Sequence, residues 1–180
     1  ADTEWPLHWT KDGRFLLYQT TDLKTKWDLW ALPMTGSDRT PFVVANSPFV
    51  ERMGQFSPDG RWLAYETNES GRPEIMAQAF PKGSGRFPVS TAGGTAPRWR
   101  ADGKEILFLA PDGTAMAVPI TSAGSAFEAG KPKALFATDI VAQPFKSQYT
   151  VARDGRLIVN SLRPEEDAAS PITLILNWKP

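Results

Sequence analysis

The sequence predicts an all-β fold, assembled from about four copies of one antiparallel unit. Three observations carry this. An Asp-Gly pair, with a large apolar residue three positions before the Asp, returns four times at spacings of 47, 43 and 52 residues. A short apolar strand follows every pair. No long stretch keeps a 3.6-residue apolar period, and 16 prolines and 14 glycines punctuate the chain.

The first element of each unit is the strand that ends in this turn. Trp9-Thr-Lys-Asp-Gly13, Phe56-Ser-Pro-Asp-Gly60, Trp99-Arg-Ala-Asp-Gly103 and Val151-Ala-Arg-Asp-Gly155 align without gaps, each followed by a basic residue (Arg14, Arg61, Lys104, Arg156). Proline at the second turn position, as in Pro58, pre-sets φ for a type I turn, and Lys11, Ala101 and Arg153 are tolerated there. Asp suits the next position, and Gly accepts the left-handed conformation that closes a bulged hairpin. The Asp-Gly pair recurs because the positive φ recurs. Asp12, Gly13, Asp59, Gly60, Asp102, Gly103, Asp154 and Gly155 are therefore expected to be structural turn residues.

The second element is the strand after the turn: "FLLYQT", "WLAYET", "EILFLA" and "LIVNS". The third is "DLWALPM" (28–34), "EIMAQAF" (74–80), "TAMAVPI" (114–120) and "ITLILNW" (172–178). The fourth is "TPFVVA" (40–45), "RFPVST" (86–91) and "KALFAT" (133–138), with no counterpart in the last unit. Four short antiparallel strands in about 45 residues make a β-propeller blade. A blade cannot bury both faces alone, so neighbours stack and share a core. The chain is expected to be one partial propeller domain, residues 1–180, with blades at about 1–46, 47–91, 92–138 and 139–180. Trp9, Trp62 and Trp99 are expected in its core.

Composition excludes several functions. Hydrophobic residues are 41% of the chain, enough for a globular fold. Twenty basic residues balance twenty acidic ones with no basic stripe, which argues against nucleic acid and anionic membrane as partners. The absence of cysteine removes disulfides, thiolate metal sites and cysteine nucleophiles. The apolar run 172–176 is too short to span a bilayer, and residues 1–20 lack the features of a signal peptide. No membrane insertion is expected of this segment, and any targeting signal or anchor is expected outside these residues.

The stretch "FSPDGRWLAYETNESGRPEI" (56–75) resembles the TolB-type, WD-repeat-like propeller repeat, and the likeness extends over the whole chain. "PRWRADGKEILFLAPDGTAMAVPI" with "FEAGKPKALFAT" is more specifically similar to the propeller at the C-terminus of bacterial membrane-anchored serine/threonine kinases, and the final "SPITLILNW" resembles their ending. The resemblance implies a segment of a longer propeller of six to eight blades and a periplasmic or extracellular address. It also implies a ligand- or protein-binding sensor role in a larger envelope protein such as a receptor kinase. The same repeat occurs in TolB and in prolyl-oligopeptidase-like peptidases, so an accessory propeller gating a peptidase is the alternative.

Residue by residue, enzyme chemistry finds little support. The lone histidine, His8, has no nucleophile elbow to serve, since no Gly-x-Ser-x-Gly occurs. Kinase loop motifs are absent. Ser57-Pro-Asp59-Gly60-Arg-Trp62 approaches a sialidase Asp-box but lacks the residue between Asp and Gly. The acidic "PEED" (164–167) has turn-like neighbours and reads as a solvated loop, so no metal and no cofactor is expected. Trp5, Trp27, Trp30, Arg72 and Arg86 are the candidate binding residues for a protein or small ligand at the propeller face. The repeat does not tie these tryptophans to the core, and the arginines lie in charged loops. Open faces on the first and last blades also predict a homodimer that completes an eight-bladed ring.

Overall fold

The computed structural model describes residues 3–22, 24–82, 85–138, 140 and 148–160. The expected strand 172–178 and the acidic cluster 164–167 lie outside them. Every described element is a strand. Four meander in order in the first sheet: β1 (Glu4–Trp9), β2 (Phe15–Asp22), β3 (Lys26–Pro33) and β4 (Phe42–Ala45). The second repeats this with β5 (Glu51–Phe56), β6 (Trp62–Thr67), β7 (Glu74–Ala79) and β8 (Arg86–Pro88). In the third, β9 (Thr95–Trp99), β10 (Glu105–Leu109) and β11 (Thr114–Ala123) are completed by β13 (Lys133–Ala137). The start of the fourth is a hairpin of β14 (Tyr149–Val151) and β15 (Leu157–Val159). All pairings are antiparallel. The architecture is an incomplete all-β propeller.

One strand is additional to the sequence expectation. β12 (Ala126–Ala129) folds back on the end of β11, pairing Ile120 with Ala129 and Ala123 with Ala126. Its Phe127 fills the space between the second and third sheets, 4.7 Å from the Trp62 ring and 5.3 Å from Phe87. The segment 121–130 is polar apart from alanines and this one phenylalanine, so its pattern carries no strand period.

Strands apolar on both faces follow from stacking. In β6, Leu63 and Tyr65 face the first sheet and pack with Leu17, Leu29, Phe56 and Phe80. Trp62 and Ala64 face the third sheet and join Ile75, Trp99, Ile106 and Val118. In β10, Ile106 and Phe108 face back, while Leu107 and Leu109 face the fourth sheet and pack with Ala115 of β11 and Tyr149 of β14. Each large side chain so buried stabilises by about 1.5–3 kcal/mol relative to exposure.

Trp9 departs from expectation. Its repeat partners Phe56 and Trp99 are 1% and 6% exposed, but Trp9 is 49% exposed. Each of these residues packs against the preceding sheet, and no described sheet precedes the first. Trp9 shares its face with Leu16, Tyr18, Trp30 and Leu32 through the strand registers.

Polar contacts between sheets repeat with the sequence. The Phe56 N–H donates to His8 Nδ1 at 3.3 Å, and the Trp99 N–H donates to Gln55 Oε1 at 2.6 Å. His8 and Gln55 hold the same repeat position. One step inward, the Met53 N–H donates to Gln19 Oε1 at 3.2 Å, and the Ala96 N–H donates to the Glu66 carboxylate. Met53 and Ala96 both sit at positive φ, 55° and 53°, where the inner strand bulges. The strain of a side chain in that region, about 1–3 kcal/mol, is offset by the buried acceptor waiting for the N–H. At the equivalent place the first sheet has Pro6, which offers no N–H.

Candidate functional site

The four Asp-Gly turns lie at one end of the sheets, and inside them the inner strands β1, β5, β9 and β14 end in a funnel of about 320 Å³. Its wall is aromatic (Trp9, Phe56, Trp99), its floor includes His8 and Gln55, and its rim carries Lys11 and Arg153. Residues of all four sheets contribute. A larger cleft of about 490 Å³ opens between the second and third turns, but its charges are mixed: Asp59, Arg61, Asp102 and Lys104.

The turns build the rim. Gly13, Gly60, Gly103 and Gly155 have φ of 72°, 70°, 71° and 84°, and each N–H bonds the carbonyl three residues back. Each Asp accepts the N–H two residues on, at 3.0–3.1 Å. Thr10 and Ser57 also donate their hydroxyls to Asp12 and Asp59, at 2.7 and 2.6 Å. Three of the carboxylates are then paired with the Arg two residues on: Asp12–Arg14 at 2.5 Å, Asp59–Arg61 at 2.8 Å and Asp154–Arg156 at 2.7 Å. Hydrogen bonds from Thr10 and Arg14 hold the Asp12 carboxyl down to about 2. Lys11 and Arg153, one position before the Asp, have no acidic partner among the described residues.

The floor is polar but uncharged at neutral pH. Burial, and behind it the positive charge of Arg98, lower the His8 pKa to about 4. Since Nδ1 accepts the Phe56 N–H, the neutral ring carries its proton on Nε2. Arg98, at the third sheet's equivalent of His8, is half-buried, donates to the Pro97 carbonyl at 2.7 Å and lies 5.8 Å from the Tyr149 ring centre. The site can hold a ligand by donors, positive charge and flat apolar surface. Among the described residues, no cluster of three or more His, Asp or Glu gathers to hold a metal.

The sequence-derived candidates lie elsewhere and are not brought together at one site, apart from the pair Trp5 and Trp27. Trp5 and Trp27 stack on each other, 4.7 Å between centres, at the opposite end of the first sheet, with Trp5 40% exposed. Trp30 is half-buried on that sheet's outer face. Arg72 is tied to Glu74 at 2.8 Å and to the Thr91 carbonyl at 2.6 Å. Arg86 bonds Glu69 at 2.7 Å and the Tyr65 hydroxyl at 3.0 Å. Lys11, Arg153 and Arg98 escaped the sequence reading, though a signal existed: Lys11 and Arg153 both replace Pro58 at one position of the repeated turn.

No family model and no curated protein matches the sequence. Solved structures do. TolB from Acinetobacter baumannii superimposes with a TM-score of 0.64 at 18% identity, over 92% of this chain and 39% of that one. The fold is a TolB-like β-propeller. A protein of Agrobacterium tumefaciens provisionally assigned as TolB gives 0.58 at 15% identity, over 86% of this chain and 56% of that one. A Bacteroides uniformis protein provisionally assigned as a 6-phosphogluconolactonase gives 0.57 at 14%, over 88% and 48%. This TolB-like propeller thus spans less than two thirds of the length of each of these structures. No helix among the described residues is long and apolar enough to cross a membrane.

Proposed function

We propose that this chain is a non-enzymatic recognition module that binds a ligand in the funnel at the Asp-Gly end of the propeller. The observation that carries the reading is the composition of that funnel. Donors, cations and aromatic surface from four sheets converge there, yet its lining holds no carboxylate. The Ser57 hydroxyl is committed to Asp59 within its own turn. His8 is committed too, its Nδ1 taken by the Phe56 N–H and its pKa too low for a general base at neutral pH. The finer reading, a sensor propeller of a periplasmic or extracellular envelope protein such as a receptor serine/threonine kinase, rests on the resemblance of residues 97–120, 127–138 and 170–178 and is part of the proposal.

The test has two arms. Peptide, glycoside and ATP substrates are expected to show no turnover, and turnover lost in His8→Ala would overturn the non-enzymatic reading. In a small-molecule thermal-shift screen with 5-fluorotryptophan-labelled protein, stabilising compounds are expected to move the Trp9 and Trp99 fluorine resonances. Stabilising compounds that leave both resonances in place would locate recognition elsewhere.

A further inference from the structure

We propose that the ligand of this funnel is a small carboxylic acid with a flat apolar body, its carboxylate taken by Lys11 and Arg153 and its body laid against Trp9 and Trp99. The inference rests on the recognition reading and deepens it.

Every turn around the rim carries an aspartate, so a rim of alternating sign is the simple expectation. The folded turns remove that symmetry. Each Asp side chain turns back onto the N–H two residues on, and three are also paired with the following arginine. Asp12, Asp59 and Asp154 are thus paired within their own turns, Asp102 accepts only the Lys104 N–H, and none of the four lines the funnel. Lys11 and Arg153 line it from the first and fourth sheets with no ion pair to an acid among the described residues. The position they share is Pro58 and Ala101 in the other two turns, so the cations face the funnel from two sides and apolar groups from the others.

The floor extends the same preference. His8 is held neutral with its proton on Nε2, so it contributes a donor rather than a competing anion or acceptor. Burial first and the charge of Arg98 second keep its ring deprotonated. Positive charge from Lys11 and Arg153, on a concave and partly apolar wall, concentrates anions.

The aromatic wall sets the ligand's other half. Trp9 is half-exposed, and the largely buried Phe56 and Trp99 belong to the same lining. A bare inorganic anion would leave this surface wet. A neutral aromatic would leave Lys11 and Arg153 uncompensated. A planar or aromatic acid satisfies both, and 320 Å³ suits a body of one or two rings.

The same chemistry is offered by a free aromatic acid and by a peptide ending in an aromatic residue with a free carboxylate. The proposal commits to the free acid. Binding of indole-3-acetate and phenylacetate is measured by fluorine NMR and calorimetry, beside the matching amides and sodium acetate. The acids are expected to move the Trp9 and Trp99 resonances and to bind at least tenfold tighter than their amides, with affinity falling as salt rises. Lys11→Ala with Arg153→Ala is expected to abolish the difference between acid and amide. Both positions are exposed, so the fold should survive, as an unchanged melting midpoint would show. Acids and amides binding the funnel equally would overturn the anion inference and leave the recognition reading standing. A peptide acid binding where free acids fail would overturn the small-ligand assignment. Resonances unmoved by any compound would overturn both readings.

Discussion

Gly60→Val separates a turn that shapes the fold from one that serves a ligand. Gly60 has φ +70°, and a Cβ built there meets nothing closer than Thr10 Cγ2 at 3.8 Å. Ordinary contact at that distance contributes no clash, so the whole penalty is backbone strain. Forcing a β-branched residue into the left-handed region costs about 1–3 kcal/mol. For a chain of this length, each kcal/mol lowers the melting midpoint by about 2–4 °C. Gly60→Asn should cost clearly less, because Asn tolerates that region. Gly13→Val should match Gly60→Val, since Gly13 has φ +72° and open space around it. Thermal melts and urea titrations of the three variants measure the order. Equal losses for Asn and Val would refute the strain argument. An unchanged midpoint with impaired ligand binding would make the turn functional.

Two further predictions follow from the sheet contacts. The His8 pKa is lowered to about 4 in the folded chain from an ordinary value of 6.5, so the neutral ring stabilises the fold above about pH 6.5 and loses that contribution as pH falls towards 4. His8→Gln, which copies Gln55 at the equivalent position, should keep the acceptor for the Phe56 N–H and flatten the pH dependence of stability in that window. An identical pH profile in wild type and variant would disprove the assignment. The faces left open among the described residues, with Leu16 and Trp30 at one end and Ile158, 57% exposed, at the other, are expected to drive self-association, two copies closing an eight-bladed ring. Sedimentation equilibrium at micromolar concentration should show dimers, and a monomer with no concentration dependence would remove the open-face argument.

The repeat was legible in the sequence because its causes are local. A positive φ demands Gly in the turn, an Asp there reaches the N–H two residues on, and a strand buried on both faces is largely apolar, as "WLAY" is. Those requirements act within a few residues, so they leave marks at fixed spacing, and the strands of the first three sheets could be placed from them. Residues 121–130 left no such mark. Phe127 has its role only from the gap between Trp62 and Trp99, which exists after two sheets have stacked.

The candidate site was not legible, because stacking creates it. Trp9, Phe56 and Trp99 are equivalent by position, yet only the presence of a preceding sheet buries two of them and leaves Trp9 on the funnel wall. Lys11 and Arg153 lie 142 positions apart, and although both stand where Pro58 does in the repeated turn, nothing local brings them to one rim. Their meeting at one rim depends on the curvature of four sheets around a common centre. So does the difference between them and Arg14, Arg61 and Arg156, whose charge is compensated by an aspartate two residues away. Turns, strands and the unit they build are written in short-range spacing. Which side chains then face one another across the centre is settled by packing, because proximity between distant residues has no local signature.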